Sequence, residues 1–179
     1  MMIGEIRDSE TAEIAIQAAL TGHLVLSSLH TNTAAAAVAR LLDMGVESYL
    51  LAATLRCVVG QRLVRRLCER CRARENGAPR APEATAFLRE MHADESEKFW
   101  HAVGCANCNG IGYKGRVGVF EVLTVDENVR REIVQGVSTS AVERAARAGG
   151  MQTMLEDGLA RCRAGETTIE EVLRVAASI

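Results

Sequence analysis

The chain has 179 residues, a net charge of −2 and 48% hydrophobic residues, of which few are aromatic. That length suits one domain with an appendage or two small domains, and an interior filled by Ala, Val, Leu and Ile suits helices and parallel strands and argues against an all-β sandwich. No stretch approaches the ~20 apolar residues of a membrane span, and Met1 is not followed by a charged segment and an apolar core, so the sequence reads as cytosolic.

Met2-Ile3-Gly4-Glu5-Ile6 is expected as a short strand. Asp8 or Ser9 then caps a helix whose apolar positions Ile14, Ala15, Ala18 and Ala19 share a face and which Thr21-Gly22 closes. Leu24-Val25-Leu26 reads as a strand buried on both faces, running into Ser27-Ser28-Leu29-His30. Strand, helix and strand make a βαβ unit. Its right-handed crossover brings the ends of both strands to one edge of the sheet, the edge at which open α/β sheets bind ligands. Glu5, Arg7 and Asp8 meet Ser28, His30, Thr31 and Asn32 there as a candidate phosphate-binding or water-handling group. The alternative is that Asp8 and Asn32 are helix caps and His30 is a satisfied surface histidine.

Asn32 or Thr33 opens a second helix through Ala36, Val38, Leu41 and Leu42, stopped by Gly45. A longer helix is expected next. Tyr49, Leu50, Ala53, Val58, Leu63 and Leu67 form its apolar side, and it delivers the chain to Cys68 with Arg62, Arg65 and Arg66 alongside. Residues 56–80 carry eight Arg against two Glu, a local excess of +6 that leaves −8 for the remainder and calls for a partner or a paired surface.

Cys68/Cys71 and Cys105/Cys108 are two Cys-x-x-Cys pairs with 33 residues between them. Each two-residue gap lets one tight turn aim two sulfurs at one ion, and four thiolates close a tetrahedral zinc shell without an open position, so the metal is structural. Two redox pairs or disulfides are the alternative, and a reducing compartment disfavours the latter. Cys57 and Cys162 read as small core residues. Residues 72–100 are polar, contain Pro79 and Pro82, and have one amphipathic stretch around Ala86-Phe87-Leu88 and Met91, which makes a lobe that depends on the metal for its order.

Gly110, Gly112 and Gly115 lead into Val117–Leu123, a strand returning to the body. Helices follow over 127–135, 139–148, 153–164 and 168–177, separated by Gly136, Gly149-Gly150 and Gly165. Ser140 with Glu143 and Thr168 with Glu171 are spaced as capping boxes. A nucleic-acid-binding ribbon is the weakest reading of Arg65, Arg66, Arg70, Arg72 and Arg74, because no aromatics are interleaved for stacking and the chain is slightly acidic.

Gly4-Glu5-Ile6-Arg7-Asp8-Ser9-Glu10-Thr11 and Thr21-Gly22-His23-Leu24-Val25-Leu26-Ser27-Ser28-Leu29-His30-Thr31-Asn32 resemble the secretion ATPases of type II systems and type IV pilus assembly. Gln61-Arg62-Leu63, the tetracysteine clip, Gly112–Gly118 and Asp157-Gly158-Leu159 follow the same pattern, so the likeness spans nearly the whole chain. The resemblance implies a RecA-like motor, a hexameric ring on the cytoplasmic side of the inner membrane that hydrolyses ATP to drive pilus or pseudopilus assembly against inner-membrane platform proteins. In its light Glu5 matches the acidic end of a Walker B segment, where a carboxylate holds the magnesium shell or orients attacking water. His23 and His30 match a histidine box, with His30 sensing the terminal phosphate. Arg7, Gln61 and Arg62 are candidates for nucleotide binding or sensing.

One departure is decisive for activity. The sequence contains no Gly-x-x-x-x-Gly-Lys-[Ser/Thr], and its only lysines are Lys98 and Lys114. ATP turnover by this polypeptide alone is therefore not expected, and the chain is expected to be the C-terminal part of a motor, cut inside its Walker B strand. The expected architecture is α/β: 1–67 as part of a RecA-like domain with a partial parallel sheet, 68–112 as the zinc lobe, 113–125 as the returning strand, and 126–179 as a helical C-terminal domain. Asp157-Gly158-Leu159 and Thr167–Val172 favour type II secretion over pilus assembly, and a non-catalytic, zinc-stapled interaction module that docks on a membrane platform protein is the alternative from another class.

Overall fold

The computed structural model describes residues 1–76, 80–136 and 138–176. Pro79 and the last residue of the expected fourth C-terminal helix lie outside the described residues. Eight helices are present among them: α1 (Ser9–Leu20), α2 (Ala34–Asp43), α3 (Ser48–Thr54), α4 (Pro82–Glu90), α5 (Glu127–Val134), α6 (Thr139–Ala148), α7 (Met154–Arg163) and α8 (Ile169–Ala176). Strands β1 (Cys57–Leu67) and β4 (Tyr113–Thr124) pair in one two-stranded sheet, and β2 (Ala73–Arg74) pairs antiparallel with β3 (Trp100–His101) in another. The residues group into two compact units. One comprises Met1–Gly60 and Glu121–Gln152, the other Gln61–Phe120 and the chain from Thr153 onward, so the division falls within both β1 and β4.

In the first unit, Asp8 caps α1 through the Thr11 amide at 2.8 Å and Thr33 caps α2 through the Ala36 amide at 3.1 Å, as short polar side chains do for orphan helical N–H groups. Gly22 and Gly45 follow those helices with φ of 92° and 90°, a conformation that costs glycine little. The face of α1 that is buried is Ala12, Ala15 and Ile16. Ile14 points to solvent, which corrects the expected stripe: the i, i+3, i+4 positions begin at Ala12, not Ile14.

The expected parallel pairing of the first two strands is present only as a bridge between Met2 and Leu26, flanked by Ile3 N–H to the Leu26 carbonyl and Ile6 N–H to the Ser28 carbonyl, each at 2.9 Å. Leu24 is 71% exposed and Leu26 55%, against the expected burial on both faces. Only Val25 and Leu29 pack on the core, the alternation of a strand with one covered face.

The long helix expected over 49–67 is not formed. Helix α3 ends at Thr54, Leu55 is extended, and the chain continues as β1 with alternating burial up to Val64. Cys57 is exposed, which corrects its reading as a core residue, whereas Cys162 is buried. A run of Cys57-Val58-Val59 before Gly60 favours extended backbone. Its outer edge is satisfied from far along the chain: Glu171 accepts the Arg65 amide at 3.0 Å, the Thr167 hydroxyl donates to the Arg65 carbonyl at 2.9 Å, and the Leu67 amide donates to the Glu166 carbonyl at 2.8 Å.

The four C-terminal helices begin and end close to expectation, but they divide between the units. Helices α5 and α6 contribute Val129, Ile133, Val142 and Ala146 to the core that contains Ala12, Val38 and Leu51. Helices α7 and α8 contribute Leu159, Cys162, Ile169 and Val172 to the cluster of Phe87, Leu88 and Phe99, so the segment between the cysteine pairs shares an apolar core with these two helices.

Of the two expected capping boxes, Thr168 makes its half, its hydroxyl accepting the Glu171 amide at 3.4 Å, and the Glu171 carboxylate is engaged elsewhere. Ser138, not Ser140, stands at the N-terminus of α6, and the reciprocal box lies at Thr153 and Glu156 of α7. The Glu171 side chain is shared between β1 and its own helix. Its carboxylate, 2% exposed, takes Arg65 at 2.6 Å and Arg174 at 2.9 Å. Arg66 meets Glu69 at 2.8 Å and Arg80 meets Glu75 at 2.5 Å, and the guanidiniums of Arg72 and Arg74 lie 4.7 and 5.2 Å from the Trp100 ring. Glu69 and Glu75 are already counted in the excess of +6, so of that excess Arg65 is paired, with Glu171, while Arg72 and Arg74 lie over the Trp100 ring.

Burial alone would raise the Glu171 carboxyl, but the Arg174 and Arg65 guanidiniums and the Arg65 amide outweigh it and hold it at about 2 against an ordinary 4.5. A depressed folded-state value stabilises above the ordinary value and is lost as pH falls through the folded one. The difference in unfolding free energy between wild type and Glu171→Gln is therefore largest above pH 4.5 and shrinks toward pH 2; chemical denaturation at stepped pH measures it, and a pH-independent difference contradicts the pairing.

Candidate metal centre and polar edge

The metal centre is built from two tight turns. The Cys68 amide at the end of β1 donates to the Gly112 carbonyl at 2.9 Å, and the amides of Cys71 and Arg72 return to the Cys68 carbonyl at 3.1 and 2.9 Å. In the second turn, Ala106–Cys108 is a single 3-10 turn after Cys105, and Gly110 donates back to the Cys105 carbonyl at 2.9 Å. All four sulfurs lie within 4.8 Å of one another. Cys68 to Cys105 is 3.9 Å, and Cys71 to Cys108 and Cys105 to Cys108 are each 3.8 Å. A tetrahedral four-thiolate shell with metal–sulfur bonds of about 2.3 Å has edges of about 3.8 Å. The residues present fit such an ion, and the cysteines are free of disulfides.

Backbone amides point at the sulfurs: Gly104 to Cys71 at 3.3 Å, and Cys105 and Gly112 to Cys108 at 3.2 Å each. Two of these donors have to be glycine. A Cβ at Gly104 would lie 2.4 Å from the Gly110 carbonyl oxygen and one at Gly112 would lie 2.5 Å from the Ala102 Cβ, with φ of 109° and 77° at the two positions. The Asn107 carboxamide donates to Cys68 at 3.5 Å and accepts from Lys114 at 2.9 Å. That donor is the main reason the Cys68 thiol falls to about 6, while burial pushes Cys71 up to about 12. Metal coordination requires thiolates, so a cation at the centre is what can ionise the set.

The polar edge lies in the first unit, where the Met2–Leu26 pairing sets Glu5 beside the end of the second extended segment. The Ser28 hydroxyl donates to the Gly4 carbonyl at 2.8 Å and locks the two segments together. One oxygen of Glu5 meets Arg7 at 2.5 Å and the other meets His30 Nε2 at 3.0 Å. The Arg7 hydrogen bond, with a smaller one from His30, lowers the Glu5 carboxyl. Arg7 and His30 are exposed on their outer sides, so a carboxylate, a guanidinium and an imidazole face solvent together and can orient water or meet an anion.

Asp8 and His23 do not join this group. Asp8 is the cap of α1, as the plainer reading has it. His23 lies at the opposite end of the 24–29 segment, with Nδ1 3.1 Å from the Thr21 hydroxyl and 3.2 Å from the Ala18 carbonyl at the C-terminus of α1. Gln61 and Arg62 are in the other unit, on β1, where the Arg62 guanidinium donates to the Gln61 carbonyl at 3.1 Å. Sequence reasoning passes over Glu121, which is buried and accepts the Ala34 amide at 2.7 Å at the start of α2. Its signal is a charge in inward register between Val119 and Leu123.

Residues 1–174 match the profile of a family described as type II/IV secretion system protein. The chain is 50% identical over 175 residues to the type II secretion system protein HxcR of Pseudomonas aeruginosa, covering 98% of this chain and 33% of that protein. It is 48% identical over 177 residues to the type IV pilus assembly ATPase PilB of Thermus thermophilus, covering 97% of this chain and 19% of that one. Among solved structures, the pilus retraction motor PilT with bound ADP is similar with a TM-score of 0.62 at 24% identity, covering 97% of this chain and 38% of that chain. The ATPase DotB of Legionella pneumophila is similar with a TM-score of 0.61 at 24% identity, covering 99% and 38%. These structures share the fold. The chain spans about a third of HxcR and a fifth of PilB.

Gly104→Ala places a methyl against the Gly110 carbonyl in a conformation that L residues rarely adopt. It is expected to cost about 2–3 kcal/mol and to speed thiol labelling of the four centre cysteines, measured by denaturant melts and timed alkylation; wild-type labelling rates contradict the packing described.

Proposed function

The chain belongs to the type II/IV secretion system protein family, and on that premise we propose that it is the C-terminal portion of a hexameric, RecA-like secretion ATPase that powers pseudopilus assembly in type II secretion. The observation that carries the reading is the Glu5–His30 contact of 3.0 Å on the strand-end edge, with Arg7 on the other carboxylate oxygen. Magnesium, when bound with ATP, neutralises charge on the phosphates. Glu5 accepts a hydrogen bond from water at this edge, Arg7 favours the ionised form of that carboxylate, and His30, held at Glu5 through Nε2, would sense a terminal phosphate by hydrogen bonding. His23, at the other end of the 24–29 segment, and Gln61 and Arg62, on β1 in the second unit, are the further residues proposed to bind or sense nucleotide.

The four-cysteine centre takes a structural zinc, because a closed shell of four thiolates leaves no site for water or substrate. The sequence lacks a phosphate-cradling loop, so turnover requires the longer protein. The proposed location is the cytoplasmic side of the inner membrane, against platform proteins of the machine, and among the described residues no helix is long and apolar enough to cross a membrane. Type IV pilus assembly is the second reading, favoured by 48% identity to PilB. In a longer protein that contains a phosphate-binding loop, Glu5→Gln is expected to lower ATP turnover by about a hundredfold or more with little change in KM. Undiminished turnover contradicts the reading.

A further inference from the structure

Glu121 occupies an inward position of β4 that its neighbours Val119 and Leu123 fill with apolar side chains, and it is 7% exposed. A carboxylate taken from water is costly unless something compensates it. Its compensation is at the start of α2, where Oε1 accepts the Ala34 amide at 2.7 Å across a separation of 87 residues. That amide is the first of the orphan donors of the helix, and the positive end of the helix dipole adds to the attraction. Thr33 serves the Ala36 amide at 3.1 Å, so a local cap and a distant one divide the same turn between them. Ala34 and Ala35 are each 1% exposed, so the turn is fixed in the core of the unit.

The segment between this turn and the parallel pairing is short. Ser28 is anchored through its carbonyl to the Ile6 amide at 2.9 Å and through its hydroxyl to Gly4 at 2.8 Å. Helix α2 is anchored at Ala34. Only Leu29, His30, Thr31, Asn32 and Thr33 lie between, and His30, with its side chain 86% exposed, has little packing of its own to hold it at Glu5.

We infer that Glu121 is a positioning residue for the Glu5–His30 pair: by closing the first turn of α2 it fixes the far end of the loop that carries His30, and so holds the imidazole at the carboxylate. The importance of this for nucleotide chemistry rests on the function proposed above; the positioning itself does not. A role limited to helix stability would leave the imidazole where it is.

The test uses this chain without nucleotide, as wild type, Glu121→Ala, Glu121→Gln and, as reference for a broken pair, Glu5→Gln. Two quantities are read by NMR: amide exchange at Ala34 and the His30 ring nitrogen and proton shifts at fixed pH. In Glu121→Ala the Ala34 amide is expected to exchange about tenfold faster, and the His30 ring shifts to move at least halfway to those of Glu5→Gln, while α5 and α6 amides keep their positions. Glu121→Gln keeps an acceptor and loses the charge, so both quantities move part of the way in the same direction; it decides the matter if the alanine variant does not fold. Wild-type His30 shifts in the folded variants, with or without faster Ala34 exchange, overturn the proposal. Turnover that survives Glu5→Gln in the longer protein overturns the functional reading and leaves this result standing, so the two failures are distinguishable.

Discussion

The convergence of four sulfurs within 4.8 Å is the constraint on which the second unit rests. It joins the end of β1 to the start of β4, and the 33 residues between the two pairs form a loop closed at its base. The apolar material available to order that loop is modest: Ala84, Phe87, Leu88 and Phe99, packed with Leu159, Cys162, Ile169 and Val172. A further cluster of Val64, Val119 and Met154 sits on the paired strands themselves. Closing a loop at its base removes much of the chain entropy that such small clusters otherwise have to offset. The thiol cluster and the apolar contacts are therefore complementary, and glycine at 104 and 112 lets the backbone close around the sulfurs, since a Cβ there would meet the Gly110 carbonyl or Ala102.

Carboxylates fasten the remainder. Glu171 holds an amide of β1 and two guanidiniums, Asp157 accepts the Phe120 amide at 2.9 Å within the second unit, and Glu121 accepts the Ala34 amide at 2.7 Å within the first. Each is a long-range bond from an acidic side chain to a backbone donor that its own element does not satisfy. A charged acceptor makes a stronger bond than a neutral one, which explains how β1, β4 and the first turn of α2 keep these amides paired. The polar edge is made in the same way, from Ser28 bonding to Gly4 and Glu5 shared between Arg7 and His30.

What the sequence makes legible is local. Asp8, Thr33, Gly22 and Gly45 mark helix ends because capping and left-handed turns depend on neighbours within a few residues. The two Cys-x-x-Cys turns are legible for the same reason, and the Glu5–His30 approach follows from the βαβ pattern. The stretch from Leu55 to Leu67 is misread because its apolar residues fit a helical face as well as an alternating strand, and what decides between them arrives more than a hundred residues later, at Thr167 and Glu171. The division of α5–α6 from α7–α8 is hidden for a related reason: glycines announce where helices stop, not which core each one joins. His23 and His30 look equivalent in the sequence, yet a parallel arrangement places the two ends of one extended segment at opposite edges.

The central claim is that the four thiols enclose a single structural ion, and X-ray absorption at the zinc edge with elemental analysis of reduced, purified chain tests it most directly. The account predicts one zinc per chain with four sulfur neighbours at about 2.3 Å and no lighter ligand. A chain that purifies folded without metal, or a shell containing oxygen or nitrogen, would contradict it.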